Sequence, residues 1–96
     1  MTAYIVGDIE INDPEAYEEY RAKVPAVIAA YGGRYLVRGG AVETLEGDWT
    51  PKRTVILEFP DMESLKAFWN APDYQPLRAI RQKASTGRLV AIQGYQ

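Results

Sequence analysis

Apolar and polar positions alternate with a period of two in several stretches of this chain, and hydrophobic residues occupy both alternating sets. Across residues 54–59 the odd positions Val55, Leu57 and Phe59 make one apolar side, while Ile56 shares the other with Thr54 and Glu58. Residues 3–11 repeat the arrangement, with Ile5, Ile9 and Ile11 on one side and Tyr4, Val6, Asp8 and Glu10 on the other. The pattern predicts strands over 3–11, 34–38, 53–59 and 88–93, the third of them central because its apolar run is the clearest. Gly7 predicts a bulge or a close contact within the first strand. Gly39-Gly40 predicts a break or bulge after the second, with a short bent strand over 41–45 and a loop over 46–51.

Between the strands the period lengthens. Tyr17, Tyr20, Val24, Val27, Ile28 and Tyr31 recur at helical spacing behind Asp13-Pro14, a capping residue followed by a proline suited to the first turn. Pro25 lies inside that helix without the amide that would bond four residues back, and predicts a bend or a re-formed turn near Lys23. Gly32-Gly33 ends the helix. Asp61 caps a second helix that buries Leu65, Phe68 and Trp69, and residues 70–73 interrupt it. Tyr74, Leu77, Ile80 and Ala84 continue in a further segment with Pro76 in its first turn, closed by Ser85-Thr86-Gly87.

The order βαββαβ, with a split second helix and two right-handed crossovers, predicts an α+β fold: a ferredoxin-like four-stranded antiparallel sheet with its helices on one face, in a single domain over 1–96. One parity turns Ile5, Ile9, Tyr35, Val37, Val55, Leu57, Phe59, Leu89 and Ala91 toward the helices. It leaves Tyr4, Val6, Leu36, Ile56, Val90 and Ile92 on the uncovered face, together with Asp8, Arg38 and Glu58. One helical layer dries only one side of a sheet, so a second copy of the chain is expected to cover the other, giving a homodimer. A chain of 96 residues also leaves much of its surface exposed, a shortage that association relieves.

Charge and composition narrow the chemistry. The net charge is −2, from 11 Lys and Arg against 13 Asp and Glu with the signs interspersed, so no basic stripe points to nucleic acid or an anionic membrane. Arg78, Arg81, Lys83 and Arg88 are close in sequence but spread over helical turns and a loop, and are expected on a solvated face. The absence of Cys and His removes disulfides, thiolate nucleophiles, Cys-His zinc sites and imidazole acid–base chemistry, and no metal or cofactor site is expected. Arg38-Gly39-Gly40 lacks the context of a phosphate-binding loop. The strand-like start carries no signal core and no run reaches transmembrane length, so a cytoplasmic location is the simplest expectation.

The candidate site follows from the two-faced strands. Asp8, Arg38 and Glu58 on an apolar face must be paired or hydrated once that face is covered. The functional alternative to an interfacial salt bridge is a small amphipathic cavity in which Arg38 holds an acidic or carbonyl-bearing ligand and Glu58 or Asp8 moves a proton. Trp49, in a Gly-Asp-Trp-Thr-Pro loop, is expected as an inter-subunit anchor ahead of a ligand stacker. Trp69 is a candidate cavity wall, and Tyr74, after Pro72-Asp73, is placed near the cavity mouth. The other tyrosines fit core stripes.

Gly32-Gly33-Arg34-Tyr35-Leu36-Val37-Arg38-Gly39-Gly40, then Leu45-Glu46-Gly47-Asp48-Trp49, Pro51, Arg53, Glu58-Phe59-Pro60 and Phe68-Trp69-Asn70-Ala71-Pro72-Asp73-Tyr74-Gln75, closely resemble the small bacterial family known as domain of unknown function 1330. The resemblance covers nearly the whole chain. It implies a branch of the dimeric α/β-barrel superfamily, in which ferredoxin-like protomers pack sheet to sheet. That superfamily includes cofactor-free oxygenases of polycyclic aromatic substrates, small isomerases and dehydratases, and haem enzymes. The family's motifs single out Arg38, Trp49, Glu58 and Tyr74; some superfamily members use a histidine, which this chain lacks, and Phe68-Trp69 stands where many family members resemble Phe-Tyr. The resulting expectation is a homodimeric, cofactor-independent enzyme or binder for a small polar or aromatic carbonyl or acid compound. The alternative is a non-catalytic dimeric interaction or accessory module.

Overall fold

In a computed structural model of the chain, which describes residues 1–95, the elements follow the order β1 (Ala3–Ile11), α1 (Pro14–Ala30), β2 (Arg34–Arg38), β3 (Thr54–Phe59), α2 (Met62–Trp69), α3 (Gln75–Ala84) and β4 (Ser85–Gln93). Gln96, the end of the expected tail, lies outside the described residues. The four strands form one antiparallel sheet in the order β2-β3-β1-β4, with β1 and β3 inside. All three helices lie on one side, so the chain is the ferredoxin-like βαββαβ fold and a slab of 37 × 34 × 16 Å. Among the described residues no helix is long and apolar enough to cross a membrane.

The local signals act as their chemistry requires. The Asp13 carboxylate accepts from the Ala16 amide at 3.1 Å and opens α1, with Pro14 in its first turn. Gly32, at φ +82°, closes it: the Gly33 amide reaches back to the Ile28 carbonyl and the Gly32 amide to that of Ala29, satisfying two carbonyls that the helix end would leave bare. Asp61 caps α2 by accepting from the Ser64 amide at 2.7 Å; that amide and the Ser64 hydroxyl hold its carboxyl below the ordinary value. Between sheet and helices Ile5, Ile9, Val24, Ile28, Leu57, Phe59, Leu65 and Phe68 are buried in one core.

Four expectations are corrected. α1 runs unbroken through Pro25 instead of re-forming near Lys23. Residues 41–45 form no strand; the whole span between β2 and β3 is irregular, pinned at its far end by Asp8. β4 starts at Ser85, directly on the end of α3, because the long β1 keeps pairing as far as Ile11↔Ser85.

The fourth correction has the largest consequence. β2 carries a bulge: Tyr35 stands opposite Leu57, yet Val37 stands opposite Ile56 and Arg38 opposite Val55, so Leu36 is an extra residue. A one-residue slip exchanges faces. Val37 therefore joins the open face, and Arg38, expected there, joins the face under the helices.

Candidate functional site

Arg38 explains why Pro25 leaves α1 intact. A proline at position 25 cannot donate to the carbonyl of Arg21, four residues back. Arg38 Nη2 donates to that carbonyl at 2.7 Å while its guanidinium lies 4.6 Å from the centre of the Tyr35 ring. The bulge thus delivers a cation to the carbonyl that Pro25 leaves without its amide partner. Burial raises the Tyr35 phenol above its ordinary value, with the Arg38 charge opposing it.

From Arg38 an aromatic wall runs along the underside of the helices. Tyr17 and Tyr20 are 5.4 Å apart between ring centres, Tyr20 and Tyr74 6.4 Å, Phe68 and Tyr74 4.3 Å, and Trp69 and Tyr74 5.7 Å. Tyr74 is fully buried at the start of α3, on the floor of this region and away from the expected mouth. Its hydroxyl pairs with that of Tyr20 at 3.2 Å. Burial, reinforced by Tyr74, pushes the Tyr20 phenol far above its ordinary value, with Arg81 opposing, so the Tyr20 hydroxyl keeps its proton and can donate.

These rings enclose a cavity of about 20 Å³, room for one water, lined also by Arg21, Arg38 and Arg53. Trp69 and Leu89, which line this cavity, also line two open grooves of about 310 Å³ each beside the edge strand β4. One passes α2 at Leu65 and Lys66; the other passes α3 at Arg81 and Ser85. Leu89 and Ala91, expected under the helices, are half-buried and exposed respectively, because no helix extends over that half of β4. Trp69 lines the cavity and both grooves, with the Arg78 and Arg81 guanidinium carbons 4.8 and 5.8 Å from its ring centre.

Arg81 contradicts its expected place on a solvated face: it is only 3% exposed. The signal was present in the spacing, since Leu77, Arg81 and Ala84 fall on one helical stripe and all three are buried. Charge had outweighed position in that reading.

Asp8 and Glu58 lie on the other face of the sheet and do not meet Arg38. Asp8 Oδ1 accepts from the Lys52 amide at 2.8 Å and the Arg53 amide at 3.4 Å. Desolvation opposes its ionisation, but those two amides, the Trp49 indole and the Arg88 charge prevail and hold the carboxyl below its ordinary value. Such a group is a loop anchor rather than a base poised near neutrality. Glu58 accepts from Arg34 Nε at 2.8 Å, its partner across β2 and β3. Trp49 stands 62% exposed above Asp8, on the rim of an open-face groove that also includes Val6, Thr54, Arg88 and Val90.

A model of the DUF1330 family, a domain of unknown function, matches residues 2–95. The chain belongs to the DUF1330 family. Among curated proteins none matches it. The fold of this DUF1330 chain is shared by RPA0582, a protein of unknown function from Rhodopseudomonas palustris, with a TM-score of 0.78 at 20% identity over 99% of this chain and 83% of that one. A dimeric ferredoxin-like protein of unknown function from Jannaschia sp. CCS1 aligns with a TM-score of 0.72 at 14% identity, over 98% of this chain and 100% of that one. SnoaB, a cofactor-independent oxygenase from Streptomyces nogalater, aligns with a TM-score of 0.67 at 15% identity, over 99% and 94%.

Proposed function

We propose that this DUF1330 protein is a homodimer whose subunits each bind a small aromatic carbonyl or acid compound in the helix-side cleft, and that it acts on this compound without a cofactor. The observation that carries the reading is the convergence of Trp69, the Tyr20–Tyr74 hydroxyl pair and several arginines around a space with no carboxylate among the described residues of its lining. Trp69 offers a flat apolar surface, and the paired hydroxyls suit a ligand oxygen on which negative charge develops. Arg38, which lines the cavity from the helix side, is proposed to face the ligand there. The description of SnoaB as a cofactor-independent oxygenase agrees with such a cleft in a similar fold.

The open face supports the dimer. Leu36, Val90 and Ile92 are 45–55% exposed there, beside Val37 and Ile56, an apolar field broad enough to need a cover. Trp49 is proposed to anchor the partner at the edge of that field, and Asp8 to hold its loop in place. Calorimetric titration with a panel of aromatic aldehydes, ketones and acids should show saturable binding that weakens at least about tenfold in Trp69→Ala. Sedimentation should give twice the chain mass of 10.8 kDa. Absence of binding by every compound, or equal binding by Trp69→Ala, discards the cleft; a stable single chain discards the dimer.

A further inference from the structure

We infer that the compound held in this cleft is a flat aromatic carboxylate, and that Arg81 is the residue that receives its charge; this rests on the cleft proposed above. Arg81 is 3% exposed, its Nε is buried, and that nitrogen donates to nothing among the described residues. The ion pairs of the described residues are Arg21–Glu18, Lys23–Glu19 and Arg34–Glu58, none of which includes it. A guanidinium does not discard its proton when buried, so an internal one with no counter-ion is a standing penalty until an anion arrives. The C-terminal end of α3 and the face of Trp69 both favour a cation here. Neither supplies the in-plane oxygens that its N–H groups require.

The surroundings select the kind of anion. In a chain of net charge −2, the cavity and grooves that share Trp69 are lined by Arg38, Arg53, Lys66 and Arg81, with no Asp or Glu among the described residues. Trp69 and Leu89 line both grooves and give a flat ring system apolar surface to lie on. Phosphate would need further donors, and the nearest hydroxyl, Ser85 Oγ, is already given to the Arg81 carbonyl at 2.5 Å. A carboxylate needs only the guanidinium fork.

The test compares cinnamate with its uncharged methyl ester on the full chain, using wild type and Arg81→Met, which keeps the side-chain length and removes the charge. Wild type should bind cinnamate at least about tenfold more tightly than the ester, and Arg81→Met should lose that preference while holding the ester within about twofold. Without ligand, Arg81→Met should melt at or above the wild-type temperature, because a lone internal charge has been removed. Equal wild-type affinities for acid and ester would overturn the anion assignment while leaving the cleft standing. A marked fall in melting temperature would also overturn it, by showing that the protein or its partner subunit supplies the counter-ion. Failure of both compounds to bind would overturn the cleft and this inference together.

Discussion

The two faces of this sheet carry similar aliphatic side chains and treat their charges in opposite ways. On the open face Asp8 is held by two backbone amides and Glu58 by Arg34, so both carboxylates are engaged. Under the helices the charges are arginines, and the buried Nε atoms of Arg53 and Arg81 lack partners among the described residues. The apolar residues differ as well: Phe59 and Phe68 are dry, whereas Val90 is 55% exposed. Engaged charges beside exposed aliphatics suit the proposed dimer face; unpaired cations among buried rings suit the proposed ligand cleft. The carboxylates expected to be catalytic are engaged by amides and by Arg34, and the arginine expected on the surface is buried.

The sharpest way to break this contrast is to truncate one residue from each face. Phe68→Ala should lower the unfolding free energy by about 3–5 kcal/mol at every protein concentration, read from urea midpoints. Val90→Ala should destabilise only at concentrations where the dimer forms, since its contribution comes through association. A Val90→Ala loss that persists on dilution would erase the distinction.

Arg38 offers a smaller and more specific test. Arg38→Met should cost about 1 kcal/mol in the wild-type background, by removing the donor to the Arg21 carbonyl. In Pro25→Ala the restored amide can serve that carbonyl, and the same substitution should cost close to nothing. Equal penalties in the two backgrounds would detach Arg38 from the proline.

The least effect is expected from Asp8→Asn, and it is visible in the acid limb. The folded carboxyl titrates below 3.8, so at that pH the unfolded chain binds more protons than the native one. Its contribution is complete above the unfolded value and disappears as pH falls through the lower folded value. The substitution should make the urea midpoint less steep with pH in that window and speed amide exchange at Lys52 and Arg53. An unaltered limb would mean that the carboxylate does not hold the loop.

Much of this was legible in the residues because the relevant signals are local. Asp13, Asp61 and Gly32 act within one helical turn of where they stand, and period-two runs locate the strands. Face assignment is not local. Gly39 and Gly40 drew attention to a bulge at the end of β2, whereas the extra residue is Leu36, an aliphatic in an unbroken strand pattern. Pairing with β3 decides that register, and nothing within residues 34–38 reveals it. Arg81 is a different case, for its spacing placed it inward; the usual preference of arginine for water concealed it. The start of β4 depended on the length of its neighbour β1, again a property of the pair rather than of either strand.

The added residue in β2 and the proline in α1 form a reciprocal unit. Deleting Leu36 would swing the guanidinium of position 38 outward and strand the Arg21 carbonyl; restoring an amide at position 25 would leave that guanidinium without its tether. Two irregularities, each a blemish in its own element, therefore rescue one another, and descendants of this chain should keep both or shed both.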